Sequence, residues 1–147
     1  MKFIEIKENK KSYLDLLLLA DEQEDMIDRY LDRGKMYVIN DDGVKCECVV
    51  TDEENGVLEI KNLATNPKYQ GEGYAKAMID FICQKYRHNY SILQVGTGDS
   101  PLTVPFYEKC GFIRSHVAAN FFTDNYDHPI YEAGVQLVDM VYLRREI

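Results

Sequence analysis

Leu58–Arg87, LEIKNLATNPKYQGEGYAKAMIDFICQKYR, decides how the rest of the chain is read. Its first part, Leu58 to Thr65, alternates with a period of two, as a half-buried strand does. Asn66-Pro67 stops that strand, because proline lacks the N–H a ladder needs and moves the residue before it out of the helical region. Gly71 and Gly73 flank Glu72, and a helical stripe of Tyr74, Ala77, Met78, Phe81, Ile82 and Tyr86 follows. A strand, a glycine loop and a helix in that order point unpaired backbone N–H groups and a helix N-terminus at an anion, most often a phosphate. Neither GxGxxG nor GxxxxGK[ST] occurs, which disfavours a dinucleotide fold and an NTPase.

A chain of 147 residues has single-domain length, and 46% apolar residues suffice for a core. No apolar run is long enough to span a membrane; the richest, Leu14 to Ala20, contains Asp15. The N-terminus, Met-Lys-Phe-Ile-Glu-Ile, is charged and alternating, so it is expected to be a first strand and not a signal peptide. A cytoplasmic protein is the resulting expectation. The net charge of −8 gives no electrostatic footprint for nucleic acid. It suits a cationic acceptor such as an amine, or simply solubility. Cys46, Cys48, Cys83 and Cys110 lack a spacing suited to tetrahedral zinc or to nucleophilic catalysis, and are expected to be reduced, partly buried small side chains.

Outward from the central stretch, Lys2 to Lys7 should form an edge strand. Ser12 is positioned to cap a helix over Tyr13 to Ala20, and a second helix runs from about Glu22 to Arg33, closed by Gly34. Lys35 to Asn40 and Val44 to Thr51 read as strands joined by the turn Asp41-Asp42-Gly43. After the long helix come a strand over Ser91 to Thr97 and a short helix from near Val104 to Lys109, with Pro105 in its first turn. Phe112 to Phe122 is expected as one interrupted strand, Thr123 to Gly134 as a loop, and Gln136 to Arg144 as the last strand. The expected fold is a single α/β (α+β) domain over residues 1–147. It has a mixed, mostly antiparallel sheet of about six to seven strands with helices on both faces.

Gln70-x-x-Gly73-x-Ala75, directly after Leu-Ala-Thr-Asn-Pro, is similar to the pyrophosphate loop of the GNAT superfamily, the acetyl-CoA-dependent N-acetyltransferases. A second match, Phe106-Tyr-Glu-Lys-Cys-Gly-Phe112, resembles the family's last helix and the turn into its next strand. The resemblance covers about Val57 to Phe112 and implies acetyl-CoA as co-substrate with an amine as acceptor. It places the pyrophosphate on the N–H groups of Gly71, Glu72, Gly73, Tyr74 and Ala75, with Gln70 opening the loop. It also implies that the Leu58 and Ser91 strands splay apart, leaving backbone groups at Leu63 and Thr65 for the pantetheine arm and the Leu63 N–H to polarise the thioester. By the same resemblance the two early helices form one wall of the acceptor site, and a homodimer through the C-terminal strands is common.

Amide formation from a thioester needs a neutral amine, stabilisation of an oxyanion, and a proton for the departing thiolate. Tyr107 matches the tyrosine that many family members use for that proton; otherwise it is a helix tyrosine packed against cofactor or core. Where the family often has asparagine, this chain has Ser100. Glu59 matches the glutamate base of the histone-acetylating branch, and a period of two would put Glu59, Lys61 and Leu63 on one face. Lys61 makes an ordinary ion pair the alternative. Asp99, His116 and His128 are lesser candidates, and the aromatic and acidic stretch Asn125–Glu132 suits an acceptor pocket or a dimer contact. The rival readings are a CoA-binding regulatory module with little turnover and an enzyme acting on charged tRNA, the latter needing a basic patch that is absent.

Overall fold

The computed structural model describes residues 1–147. The chain opens with β1 (Lys2–Ile6), α1 (Leu14–Ala20), α2 (Glu24–Asp28), β2 (Lys35–Asn40), β3 (Val44–Asp52) and β4 (Val57–Thr65). It continues with α3 (Tyr74–Tyr86), β5 (Ile92–Gly98), α4 (Thr103–Lys109), β6 (Ile113–Ala118) and α5 (Phe121–Asn125). It closes with β7 (Tyr131–Glu132), β8 (Val135–Gln136) and β9 (Met140–Glu146). Seven strands form one sheet in the order β1-β2-β3-β4-β5-β9-β6, and only the β4–β5 pair is parallel. A parallel pair needs a long crossover, and α3 supplies it. No helix is long and apolar enough to cross a membrane.

The sheet is covered on both faces, as alternation in its strands requires. On one face Cys46, Cys48 and Val50 of β3 and Leu58 and Ile60 of β4 meet Tyr74, Met78, Ile79, Ile82 and Tyr86 of α3. Val104 and Tyr107 of α4 complete this layer. On the other face Leu17 of α1 and Ile27 of α2 join Met36, Val38 and Val49. A fully buried side chain such as Leu17 or Ile82 contributes about 1.5–3 kcal/mol. A third, small cluster of Phe122, Ile130 and Leu137 anchors the segment around α5.

Several local expectations need correction. Ser12 caps nothing: it lies in a 3-10 turn, its hydroxyl bonds the Asn9 carbonyl, and α1 begins at Leu14. The second helix is shorter than its periodicity suggests. Beyond Asp28 the ladder turns irregular, with Arg29 and Tyr30 bonding i−3 and Leu31 and Gly34 bonding i−4, and the Lys10 ammonium takes the Leu31 and Gly34 carbonyls at 2.8 and 2.7 Å. Phe112–Phe122 is not one strand, because Asn120 adopts a left-handed φ of 59° and turns the chain into α5. Thr123–Gly134 is not an unstructured loop: it holds most of α5 and β7. Val135–Gln136 pairs with β7 in a hairpin, so the last strand of the main sheet starts only at Met140.

Glu47 is fully buried on β3, facing away from the layer that holds its neighbours Cys46 and Cys48, and neither carboxylate oxygen has a partner. Burial pushes its carboxyl well above the usual range, so the folded state favours the protonated form. The folded chain then binds more protons than the unfolded one, and stability falls as pH rises above the normal glutamate range, by about 1.4 kcal/mol per pH unit until the folded-state pKa is passed. Glu47→Gln is therefore expected to raise the melting temperature, by more at pH 8 than at pH 5. Melting curves across that range check it, and an equal or opposite effect at pH 8 would contradict it.

Candidate active site

The register of β4 changes in its middle. Val49 of β3 faces Asn62 and Val50 faces Ile60, so Lys61 is the extra residue of a β-bulge. The parallel pairing to β5 ends at the same point, with Ile60 opposite Val95. Beyond it, Lys61–Leu63 of β4 and Gly96–Gly98 of β5 form opposite walls of a cleft of about 430 Å³. The Asn66 N–H bonds the Lys45 carbonyl of β3 at 2.8 Å. Because N–H direction alternates along a strand, Ala64 and Asn62 also face β3, whereas Leu63 and Thr65 face the gap. Backbone groups there must bond something other than a neighbouring strand. The Thr65 carbonyl already has a partner, the Gln70 side-chain amide at 3.3 Å, so Gln70 bridges the strand end and the glycine loop.

Gly71 and Gly73 have φ of 82° and 89°, a region that residues with a Cβ rarely adopt. A Cβ built at either would meet no atom within 4 Å, so it is backbone conformation and not crowding by the protein that calls for glycine. Gly73 is the N-cap of α3 and supplies no side chain to cap it, which leaves the N–H groups of Tyr74 and Ala75 without a helical partner. Tyr74 itself is anchored away from the loop, its hydroxyl donating to Asp41 at 2.8 Å, and Glu72 points into solvent. The loop thus offers main-chain donors at a helix N-terminus, a cradle that fits a diphosphate. Lys76 is paired with Asp80 at 3.0 Å, while Lys68 has no carboxylate partner.

Tyr107 lines the cleft from α4, stacked edge-on against Phe106 and Phe112. The hydroxyls of Tyr30, Tyr37, Tyr74 and Tyr126 are bonded to protein groups; that of Tyr107 is not. Burial drives its pKa up, so the phenol stays protonated. Ser100 has local work: its hydroxyl accepts from the N–H groups of Leu102 and Thr103 at the start of α4 and donates to Glu132 at 2.8 Å.

Glu59 is 4% exposed and doubly engaged. Lys61 pairs with it at 2.7 Å, and Gln94, itself held by Arg144, donates to its other oxygen. It lines not the main cleft but an adjoining cavity of about 260 Å³, which shares Ile60, Lys61 and Gly96 with it. Glu59, Lys61 and Leu63 do not share a face. The bulge shifts the alternation, so Leu63 packs into the α3 layer while Asn62 points under α1, its amide donating to the Leu17 carbonyl and the Tyr30 hydroxyl, both at 3.0 Å.

The far end of the cleft is built from the junction of α1 and α2 and from the segment after α5. Tyr126 donates to Asp21 at 2.6 Å, and His128 bridges Glu22 and Asp127 at 2.9 and 2.5 Å. Those two carboxylates raise the His128 pKa. Tyr126, Ile130, Tyr131 and Glu132 all line the cleft, whereas His116 stacks on Tyr142 at the exposed edge and Asp99 pairs with Arg114. Asp21, Asn62 and Tyr126 were not singled out as individual residues by motif. The signal available was an acidic pair, Asp21-Glu22, directly after an apolar helix.

An acetyltransferase (GNAT) domain model matches residues 32–114. YvbK, described as an uncharacterized N-acetyltransferase of Bacillus subtilis (strain 168), is 35% identical over 140 residues, spanning 93% of this chain and 90% of its own. A GNAT family acetyltransferase from Elizabethkingia anophelis, solved with acetyl-CoA bound, superposes with a TM-score of 0.93 at 32% identity, covering 99% of this chain and 97% of that one. A Bacillus subtilis acetyltransferase solved in complex with CoA gives a TM-score of 0.88 at 32% identity, with 99% and 98% covered. The chain belongs to the GNAT family and is an acetyl-CoA-dependent acetyltransferase.

Gly73→Ala tests the loop. Holding alanine in the left-handed region costs about 1–2 kcal/mol, so acetyl-CoA affinity is expected to fall about tenfold, measured by calorimetric titration. Unchanged affinity would separate the loop from the co-substrate.

Proposed function

We propose that this acetyltransferase moves the acetyl group of acetyl-CoA directly onto a primary amine, with both substrates bound together. The observation that carries the reading is a single cleft bordered by Leu63, whose N–H faces the gap, and by Tyr107, with no cysteine in its lining. In this reading the Leu63 N–H donates to the thioester oxygen as it gains charge, the setting in which a fixed donor helps most. Thr65 bonds the pantetheine arm, and Gly71, Glu72, Gly73, Tyr74 and Ala75 hold the diphosphate through main-chain N–H groups.

The amine reacts in its neutral form, its ammonium proton having gone to water. The nitrogen lone pair forms the C–N bond, and the electrons of the C–S bond leave on sulfur. Tyr107 gives its hydroxyl proton to that sulfur. The proton shed by nitrogen as the amide forms returns to Tyr107 through solvent. Cys110 takes no part: it is buried in the α3 layer, and burial raises its thiol pKa, the opposite of an activated nucleophile. A cytoplasmic setting belongs to the same proposal, in keeping with four buried free thiols.

Tyr107→Phe is expected to lower kcat by about 100-fold while leaving the acetyl-CoA-induced rise in melting temperature intact. Release of CoA thiol over a panel of amines reads the first, and thermal unfolding the second. Silence of the wild-type protein over that panel, with CoA still bound, would favour the binding-module reading instead.

Glu59 is proposed as the ion-pair partner of Lys61 and not as the base, since both its oxygens are already engaged. Glu59→Gln would leave the Lys61 ammonium unpaired in a mostly buried site, costing about 2 kcal/mol and about 5 °C in melting temperature. The acid limb of the kcat/KM profile should keep its shape. Loss of that limb with stability unchanged would restore Glu59 as the base.

A further inference from the structure

The walls of the main cleft carry three carboxylates, those of Asp21, Glu22 and Glu132. The two at the far end are occupied. The Asp21 oxygens accept from the Tyr126 and Tyr30 hydroxyls at 2.6 and 2.9 Å, and Glu22 is paired with His128 at 2.9 Å. Glu132 differs. It lies on β7, half-buried and without a salt bridge, and its side chain has one partner, the neutral hydroxyl of Ser100. The Leu102 and Thr103 N–H groups donate to that hydroxyl at 3.2 and 3.4 Å, so its own proton is turned to Glu132 Oε1 at 2.8 Å.

The bond ties Glu132 to the start of α4, the helix that carries Tyr107 one turn after Thr103. Thr103, Tyr107 and Glu132 all line the cleft, and Glu132 Oε2 has no hydrogen bond of its own. Burial is the main reason that the Tyr107 pKa is raised, and the Glu132 charge adds to it. The phenol and the carboxylate therefore lie within electrostatic reach of each other. When Tyr107 gives its proton to sulfur it turns anionic beside a carboxylate, which like charge opposes. A proton gained by Glu132 in the same step keeps one negative charge on the pair throughout. The amine nitrogen has that proton to lose.

We propose that Glu132 is the general base of the transfer, taking on Oε2 the proton that the amine nitrogen sheds as the C–N bond forms. The nitrogen lone pair makes that bond, the C–S electrons leave on sulfur, and Tyr107 protonates the sulfur. Glu132 then returns its proton through water to the Tyr107 phenolate, so amine and thioester become amide and thiol with both side chains restored. The inference rests on the amine-transfer reading and adds to it a catalytic residue. Glu59 cannot take this part, being doubly engaged in the adjoining cavity.

A panel of spermidine, benzylamine, 2-phenylethylamine and alanine amide supplies the acceptor that the wild-type enzyme turns over fastest at saturating acetyl-CoA. With it, Glu132→Gln should lower kcat about 100-fold and leave the KM for acetyl-CoA within about twofold. Sodium formate, a small carboxylate able to enter the space left by the side chain, should raise the rate of Glu132→Ala at least about tenfold and that of Tyr107→Phe not at all. If neither Glu132 variant folds, Glu132→Asp decides in their place: it keeps the charge but withdraws it, and kcat should fall about tenfold. A folded Glu132→Gln or Glu132→Asp enzyme with the wild-type kcat, or a Glu132→Ala defect that formate does not relieve, would overturn the inference while leaving acetyl transfer standing. No transfer to any amine by the wild-type enzyme, with acetyl-CoA still bound, would overturn both.

Discussion

The structure depends on one extra residue in β4. With Lys61 bulged out, two things happen at once. The parallel pairing with β5 stops at Ile60, and the N–H groups of Leu63 and Thr65 are left facing a gap in place of a strand. A sheet that kept its register would have closed the cleft and spent those donors on its own ladder. The bulge costs the fold some ladder bonds, and the seven-stranded sheet with its two covered faces keeps the opening rigid. An opening of this kind inside a packed sheet, lined by backbone donors, is suited to a long, polar and flexible substrate arm.

The same bulge sets which side chains reach the cleft. Below it Ile60 points into the α3 layer; past it Leu63 does, and Asn62 is turned under α1, where it braces Tyr30 and through it Asp21. The co-substrate side and the far end of the cleft are thus joined through adjacent residues of one strand. The far end is closed by contacts between segments distant in sequence, Tyr126 on Asp21 and His128 on Glu22, which tie the segment after α5 to the turn between α1 and α2.

Much of this was legible in the chain. The glycine loop and the helix after it announce themselves because positive φ and an uncapped helix N-terminus have a sequence signature, here Gly71, Gly73 and the stripe from Tyr74 to Tyr86. The strands β1 to β5 follow from alternation and turn residues. The bulge was not legible, since Lys61 is an ordinary residue in an unbroken alternating run, and so the face assignment of Glu59, Lys61 and Leu63 failed past Lys61. The segment from Phe112 to Gln136 was misread for a related reason. Its short elements are stabilised by distant partners, Asn120 by Asp139 and Phe122 by Ile130 and Leu137, and such partners carry no local period. Asp21 is hidden likewise, because its meaning comes from two tyrosines contributed by other parts of the chain.

The most direct test of the central claim is residue-resolved exchange of backbone amides, with and without acetyl-CoA. Leu63, Thr65 and the amides from Gly71 to Ala75 should exchange quickly in the free protein, while Asn62 and Ala64, bonded across to β3, exchange slowly. Addition of acetyl-CoA should protect the first set and leave the second as it was. A Leu63 amide already protected in the free protein, and unmoved by acetyl-CoA, would contradict the account.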